Sequence, residues 1–136
     1  MNEIMLELRE RNESVPCPLE LPDEEALLTI EEELLMTLPK DLKDYLLEVS
    51  DVIYGSIEPV TAADPHAHTY LSDVAATAWE MGVPRTYIPI CEQAGNYYCL
   101  TMEGPIVFWK NGKDTDKSWN SIWDWIEQVW LKKTDL

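Results

Sequence analysis

Between Thr86 and Lys110 three short runs, TYIPIC, YYCLTM and IVFWK, alternate with two clusters of turn formers, EQAGN and EGP. β-Branched and aromatic side chains suit a pleated, half-buried surface, so each run reads as a strand. Ala94-Gly95-Asn96 and Gly104-Pro105 supply the backbone freedom and the stops that short connections need. Linkers this short hold no crossover helix, so the three strands must pair antiparallel, as a meander. Strand alternation sends Tyr97, Cys99 and Thr101 to one face and Tyr98, Leu100 and Met102 to the other. Neither face is wholly polar. The sheet therefore packs on helices on one side and keeps aromatic surface for further contacts on the other.

The rest of the chain supplies those helices. Asn2 to Arg11 places Ile4, Met5 and Leu8 on one stripe, and Val15-Pro16-Cys17-Pro18 ends it, since two prolines remove donors and force extended backbone. Pro22-Asp23 opens a second helix running to about Met36, with Leu27, Ile30 and Leu34 inward and Glu31, Glu32 and Glu33 outward. Pro39 suits the first turn of a third helix, whose Leu42, Tyr45, Leu46 and Val49 recur at helical spacing. Val52 to Val60 reads as one or two strands around Gly55. Asp64-Pro65 has the form of an N-cap followed by proline, ahead of Leu71, Val74, Ala75, Ala78 and Trp79. Lys110 to Asp114 reads as a polar turn, and Ser118 as the cap of a last helix carrying Trp119, Ile122, Trp123, Ile126, Val129 and Trp130 on its core face. The predicted fold class is α+β: one domain, a mainly antiparallel sheet with a C-terminal meander, packed against several amphipathic helices.

Composition narrows the partners. Formal charge is −16, and residues 1–60 hold 16 acidic and 4 basic side chains, against 10 and 6 in residues 61–136. A field of that sign repels nucleic acid and anionic lipid and draws basic partners in. No apolar run approaches the roughly 20 residues of a membrane span, and Met-Asn-Glu-Ile has neither the basic start nor the apolar run of a signal peptide. Three cysteines, Cys17, Cys91 and Cys99, make no disulfide framework. Buried thiols in a reducing cytoplasm are the expectation, with a Cys91–Cys99 bridge between neighbouring strands as the alternative.

With these elements placed, the chain resembles the SUKH superfamily, the Smi/Knr-like domains of bacterial immunity proteins and fungal cell-wall regulators. Four stretches carry the likeness. A glutamate-rich helix leads into Leu38-Pro39-Lys40-Asp41-Leu42-Lys43-Asp44-Tyr45-Leu46-Leu47. Ile57-Glu58-Pro59-Val60 stands where the family has its first strand. Tyr87-Ile88-Pro89-Ile90-Cys91 and Gly95-Asn96-Tyr97-Tyr98-Cys99-Leu100 resemble its "IPI", glycine turn and aromatic strand. Ile106-Val107-Phe108-Trp109 and Ser118-Trp119 to Trp123 resemble its last strand and closing helix. The likeness spans about residues 22–131. It implies a non-catalytic protein-binding domain, commonly an immunity protein that neutralises a co-encoded toxin, often a nuclease. The negative charge suits a basic partner of that kind.

Residue chemistry offers little catalysis. In Asp64-Pro65-His66-Ala67-His68 the two imidazoles, with a carboxylate, suggest a metal-dependent hydrolase as the alternative function. A catalytic zinc site normally takes three protein ligands, however, and these are the only histidines in the chain. Cys91 and Cys99 have no basic neighbour in sequence to make a thiolate. The glycines form no cofactor or phosphate loop, so no cofactor is expected. The residues expected to meet a protein partner are Glu31, Glu32 and Glu33 as a docking patch, with Tyr54, Tyr97, Tyr98 and Trp125 as aromatic anchors. Trp125 lies off the apolar stripe of the last helix and is expected to be partly exposed.

Overall fold

The computed structural model describes residues 2–16, 19–55 and 57–132. Three helices come first. In α1 (Glu3–Glu10) the Asn2 side chain accepts from the Met5 N–H at 2.8 Å, satisfying one of the free donors of the first turn. Asp23 does the same for the Ala26 N–H of α2 (Glu24–Leu34). Pro39 stands just ahead of α3 (Lys40–Glu48). Their apolar stripes, Met5 and Leu8, Leu27, Ile30 and Leu34, and Leu42, Tyr45 and Leu46, are all buried in one core. The chain after α1 is tied to the segment beyond α3: Asn12 Oδ1 accepts from the Ile53 N–H, and the Glu13 N–H donates to the Ile53 carbonyl, both at 2.8 Å. Cys17 and Pro18, part of the expected stop after the first helix, lie outside the described residues.

The meander is present, with one strand more than expected. Strands β1 (Ile88–Gln93), β2 (Asn96–Leu100), β3 (Ile106–Lys110) and β4 (Lys113–Trp119) form one sheet in that order, every neighbouring pair antiparallel. Pro89 is accommodated because a bulge interrupts the β1–β2 ladder between Pro89 and Cys91. Asn111 and Gly112, with φ of 55° and 80°, form the tight turn from β3 to β4. Expecting only a polar turn there overlooked β4, whose Lys-Asp-Thr-Asp-Lys-Ser run is an edge strand open to solvent and so shows no apolar alternation.

That strand moves the closing helix. Trp119 pairs with Ile106 in the sheet, and the cap is Ser121, not Ser118, ahead of α5 (Ile122–Trp125). The chain continues as a π-helical turn, Ile126–Trp130, closed by the Leu131 N–H donating to the Ile126 carbonyl at 2.8 Å. The buried face differs accordingly from the expected one. Trp125 is 1% exposed and Trp130 is equally enclosed, whereas Trp119 and Trp123 are only half-buried against the core. A helical stripe drawn from Trp119 runs through a strand and then a widened turn, so its period fails at both ends.

Two other expectations are corrected. The helix expected from Asp64 begins at Leu71, as α4 (Leu71–Glu80). Residues 64–70 instead turn back, Asp64 accepting from the His66 and Ala67 N–H groups, and Thr61 and Tyr70 form a single parallel bridge. Val52 to Val60 makes only single bridges, Tyr54 with Ile57 and Pro59 with Cys91. The second of these, with the Val60 N–H donating to the Ile90 carbonyl, covers the outer edge of β1. Both sheet faces are packed. Ile88, Ile90, Leu100 and Ile106 join the main core, while Tyr97 and Cys99 join Ala78 and Val83 in a second cluster beside the end of α4.

Candidate protein-binding surface

The residues expected to form a docking patch are largely engaged inside the molecule. Glu31 Oε2 accepts from the Leu38 N–H at 2.7 Å and lies 3.4 Å from Lys43 Nζ, which fixes the loop between α2 and α3. Glu33 Oε1 accepts from the Tyr70 and Ser72 hydroxyls at 2.9 and 2.8 Å, joining α2 to the start of α4. Glu32 is exposed and has no such partner among the described residues. Only the middle carboxylate of the three is therefore available without cost to the fold.

The aromatic residues divide in a similar way. Trp125 is buried against Tyr98, ring centroids 5.2 Å apart, which corrects its expected exposure and removes it as a surface anchor. Tyr97 is also buried, its hydroxyl 3.6 Å from Met81 Sδ. Tyr98 is half-buried, stacked on Phe108 at 4.5 Å and edge-on to Trp119. Tyr54 is half-buried; its hydroxyl accepts from Arg11, and its carbonyl accepts from Trp130 Nε1 at 2.9 Å. The last of these bonds clamps the 50s segment onto the end of the chain.

Neither the histidines nor the thiols assemble a reactive centre. His66 is exposed, and His68 Nε2 turns to Glu58 Oε2 at 3.1 Å. Among the described residues no three His, Cys, Asp or Glu side chains converge to hold a metal. The hydrolase alternative therefore has a pair where it requires at least three donors. Cys91 and Cys99 are free thiols buried in different clusters, Cys91 lying opposite Tyr98 and Cys99 opposite Pro89, so the alternative bridge between them does not form. Burial pushes each thiol up to about 12, which leaves both protonated at neutral pH.

Two surface hollows went unnoticed in the sequence because they arise between loops. The larger, about 440 Å³, lies between the 50–61 segment and the 64–69 turn, over Val52, Ile53, Ile57, Pro59 and Ala67, with Glu58 and His68 at its margin. A neighbouring hollow of about 360 Å³ shares Leu19, Thr61 and Ala67 with it and adds Glu20 and Asp64. A third cleft, of about 390 Å³, is lined by Tyr98, Phe108 and Trp119 together with Lys117 and Lys132.

Ion pairing sharpens that contrast. Arg9, Arg11, Lys40 and Lys43 are each paired with a carboxylate. Arg85 donates to the Leu34 carbonyl at the end of α2 and stacks on Trp79. Lys110, Lys113, Lys117 and Lys132 have no ion pair among the described residues. Among the described residues, the lysines without an ion pair thus lie on β3, β4 and at the end of the chain.

A four-stranded antiparallel meander packed on amphipathic helices gives the chain an α+β fold. The family model SUKH_5, described as SMI1-KNR4 cell-wall, matches residues 1–131, and the chain belongs to that family. It is also similar to a solved structure described as "Crystal structure of protein from Pseudomonas syringae pv. tomato". The identity is 52% and the TM-score 0.92, over 96% of this chain and 98% of that one. No curated protein matches the chain. No helix among the described residues is long and apolar enough to cross a membrane.

Proposed function

We propose that the chain is a non-catalytic protein-binding domain of the immunity type, which neutralises a toxin encoded beside it in the cytoplasm of the cell that makes both. The observation that carries this reading is the charge of −16 on a member of the SMI1-KNR4 family. A toxin that cleaves nucleic acid must grip phosphates with lysine and arginine. An acidic protein is steered onto that basic surface, and by covering it keeps the substrate out. Neutralisation of this kind needs complementarity and slow release, and no bond is made or broken.

Co-expression tests the reading. Cells that express the toxin domain encoded next to this chain survive when the chain is supplied, and the two proteins purify together. Death of cells that contain ample soluble chain, with no complex recovered, overturns it.

A further inference from the structure

We infer that the hollow between the 50–61 segment and the 64–69 turn is where the partner docks, and that its occupant is an extended segment of the toxin carrying an apolar side chain beside a lysine or arginine. This inference rests on the immunity reading and adds the site and the chemistry of recognition.

Three observations converge on that occupant. The first is shape and lining. At about 440 Å³ the hollow is as large as a typical ligand pocket, and its floor is aliphatic, with Val52, Ile53, Ile57 and Pro59. An aliphatic floor of this size favours a side chain inserted from outside, which then becomes the anchor of the interface.

The second is charge complementarity. The carboxylates at the margin of this hollow and its neighbour are Glu58, Glu20 and Asp64, and neither hollow is lined by a lysine or arginine. Glu58 keeps its side chain 66% exposed, and its side-chain partner among the described residues is an imidazole, His68. A cation arriving at this rim meets carboxylates that no internal cation has neutralised. Arg11, which reaches Tyr54 on the same segment, is itself held by Glu7.

The third is the contrast with the aromatic cleft. The aromatic cleft by Tyr98 and Phe108 is lined by Lys117 and Lys132, while Lys110 and Lys113 share the hairpin with Asp114 and Asp116. A basic segment finds two lysines in the wall of that cleft, where the first hollow offers a carboxylate. The charge pattern therefore selects one hollow over the other for the same partner.

The test uses the co-encoded toxin domain and the full chain, with binding kinetics measured by surface plasmon resonance. Ala67→Trp fills the hollow from its wall. Glu58→Lys reverses the rim, and Glu80→Lys makes the same change of net charge at the far end of the 10-residue α4, about 15 Å along the helix from its start. Thermal melts first show that each variant is folded. The inference expects Ala67→Trp to weaken binding by about 100-fold through faster dissociation. It expects Glu58→Lys to weaken binding by about tenfold more than Glu80→Lys. If folded Ala67→Trp binds like the wild type, or if Glu58→Lys and Glu80→Lys are equivalent, the docking site is wrong while the immunity reading stands. If the wild-type chain itself does not bind the toxin, the immunity reading fails and this occupant falls with it.

Discussion

Replacing Trp125 with alanine should unfold the protein more readily than any change at Trp123, and the structure gives the size of the difference. Trp125 is 1% exposed and packs against Tyr98 within the main core, so truncation leaves a cavity. Tryptophan-to-alanine changes at such sites cost about 3–5 kcal/mol. Its Nε1–H has no acceptor among the described residues, and a buried unpaired donor costs about 1–3 kcal/mol that alanine no longer carries. The net expectation for Trp125→Ala is therefore the low end, about 3 kcal/mol. Trp125→Phe keeps most of the packing and also sheds the unpaired N–H, so the two effects offset to within about 1 kcal/mol. Trp123 is half-buried and should cost about 1–2 kcal/mol as alanine. Urea denaturation followed by far-UV circular dichroism measures all three without relying on the tryptophan signal. With m near 1–3 kcal/mol/M, Trp125→Ala lowers the midpoint by about 1–3 M. A loss at Trp123 equal to that at Trp125 would refute the inward assignment of Trp125. A loss well above about 1 kcal/mol from the phenylalanine variant would refute the cost assigned to the N–H.

Three further substitutions and the two buried thiols give expectations from particular contacts. Ala94 is exposed with φ of 53°, in the left-handed region that asparagine tolerates better, so Ala94→Asn should raise stability by about 0.5–1 kcal/mol in the same assay. Glu31→Gln should cost about 1 kcal/mol because the Leu38 N–H exchanges an ionised acceptor for a neutral one, whereas Glu32→Gln should change stability by less than about 0.5 kcal/mol. Glu32 is thus the residue of the three at which association rate can be tested free of folding effects: Glu32→Gln should slow toxin association slightly and leave dissociation unchanged, and a faster dissociation would contradict a rim role. Cys91 and Cys99 should resist thiol reagents in the native protein at pH 8 and react on unfolding, as read by peptide mass spectrometry. Since both thiols are raised from 9 to about 12 on folding, the unfolded chain loses protons first, and this contribution to stability is full below pH 9 and lost as pH rises toward 12; a chain that gained stability across that interval would contradict their burial.

The sheet was legible in its central strands because Tyr97-Tyr98-Cys99-Leu100 and Ile106-Val107-Phe108-Trp109 are rich in β-branched and aromatic residues and bounded by glycine turns. Its edge was not. Lys113 to Ser118 owes its strand state to hydrogen bonds with β3, and the signal that announces it is the Asn111-Gly112 turn, not its side chains. The first three helices were readable from periodicity and caps. The last helix was misread because the π-helical turn at Ile126–Trp130 shifts which side chains face inward. At the candidate surface, carboxylate spacing alone marked Glu31, Glu32 and Glu33 alike. Which of them is free depends on Leu38, Lys43, Tyr70 and Ser72, up to 39 residues away in sequence. The hollow by Glu58 lies between two irregular segments with no periodic signature at all.

Titrating the purified co-encoded toxin domain with this chain, while following the toxin's own catalytic activity, tests the central claim most directly. The account predicts that activity falls in proportion to added chain and vanishes at equimolar protein, with the toxin recovered intact when the complex is dissociated. It further predicts slower onset in 1 M salt, where the screening length shrinks to about 3 Å. Undiminished activity in large molar excess of the chain would contradict neutralisation by binding. A progressive loss at substoichiometric chain, continuing with time and leaving a modified toxin, would show turnover and contradict a non-catalytic role.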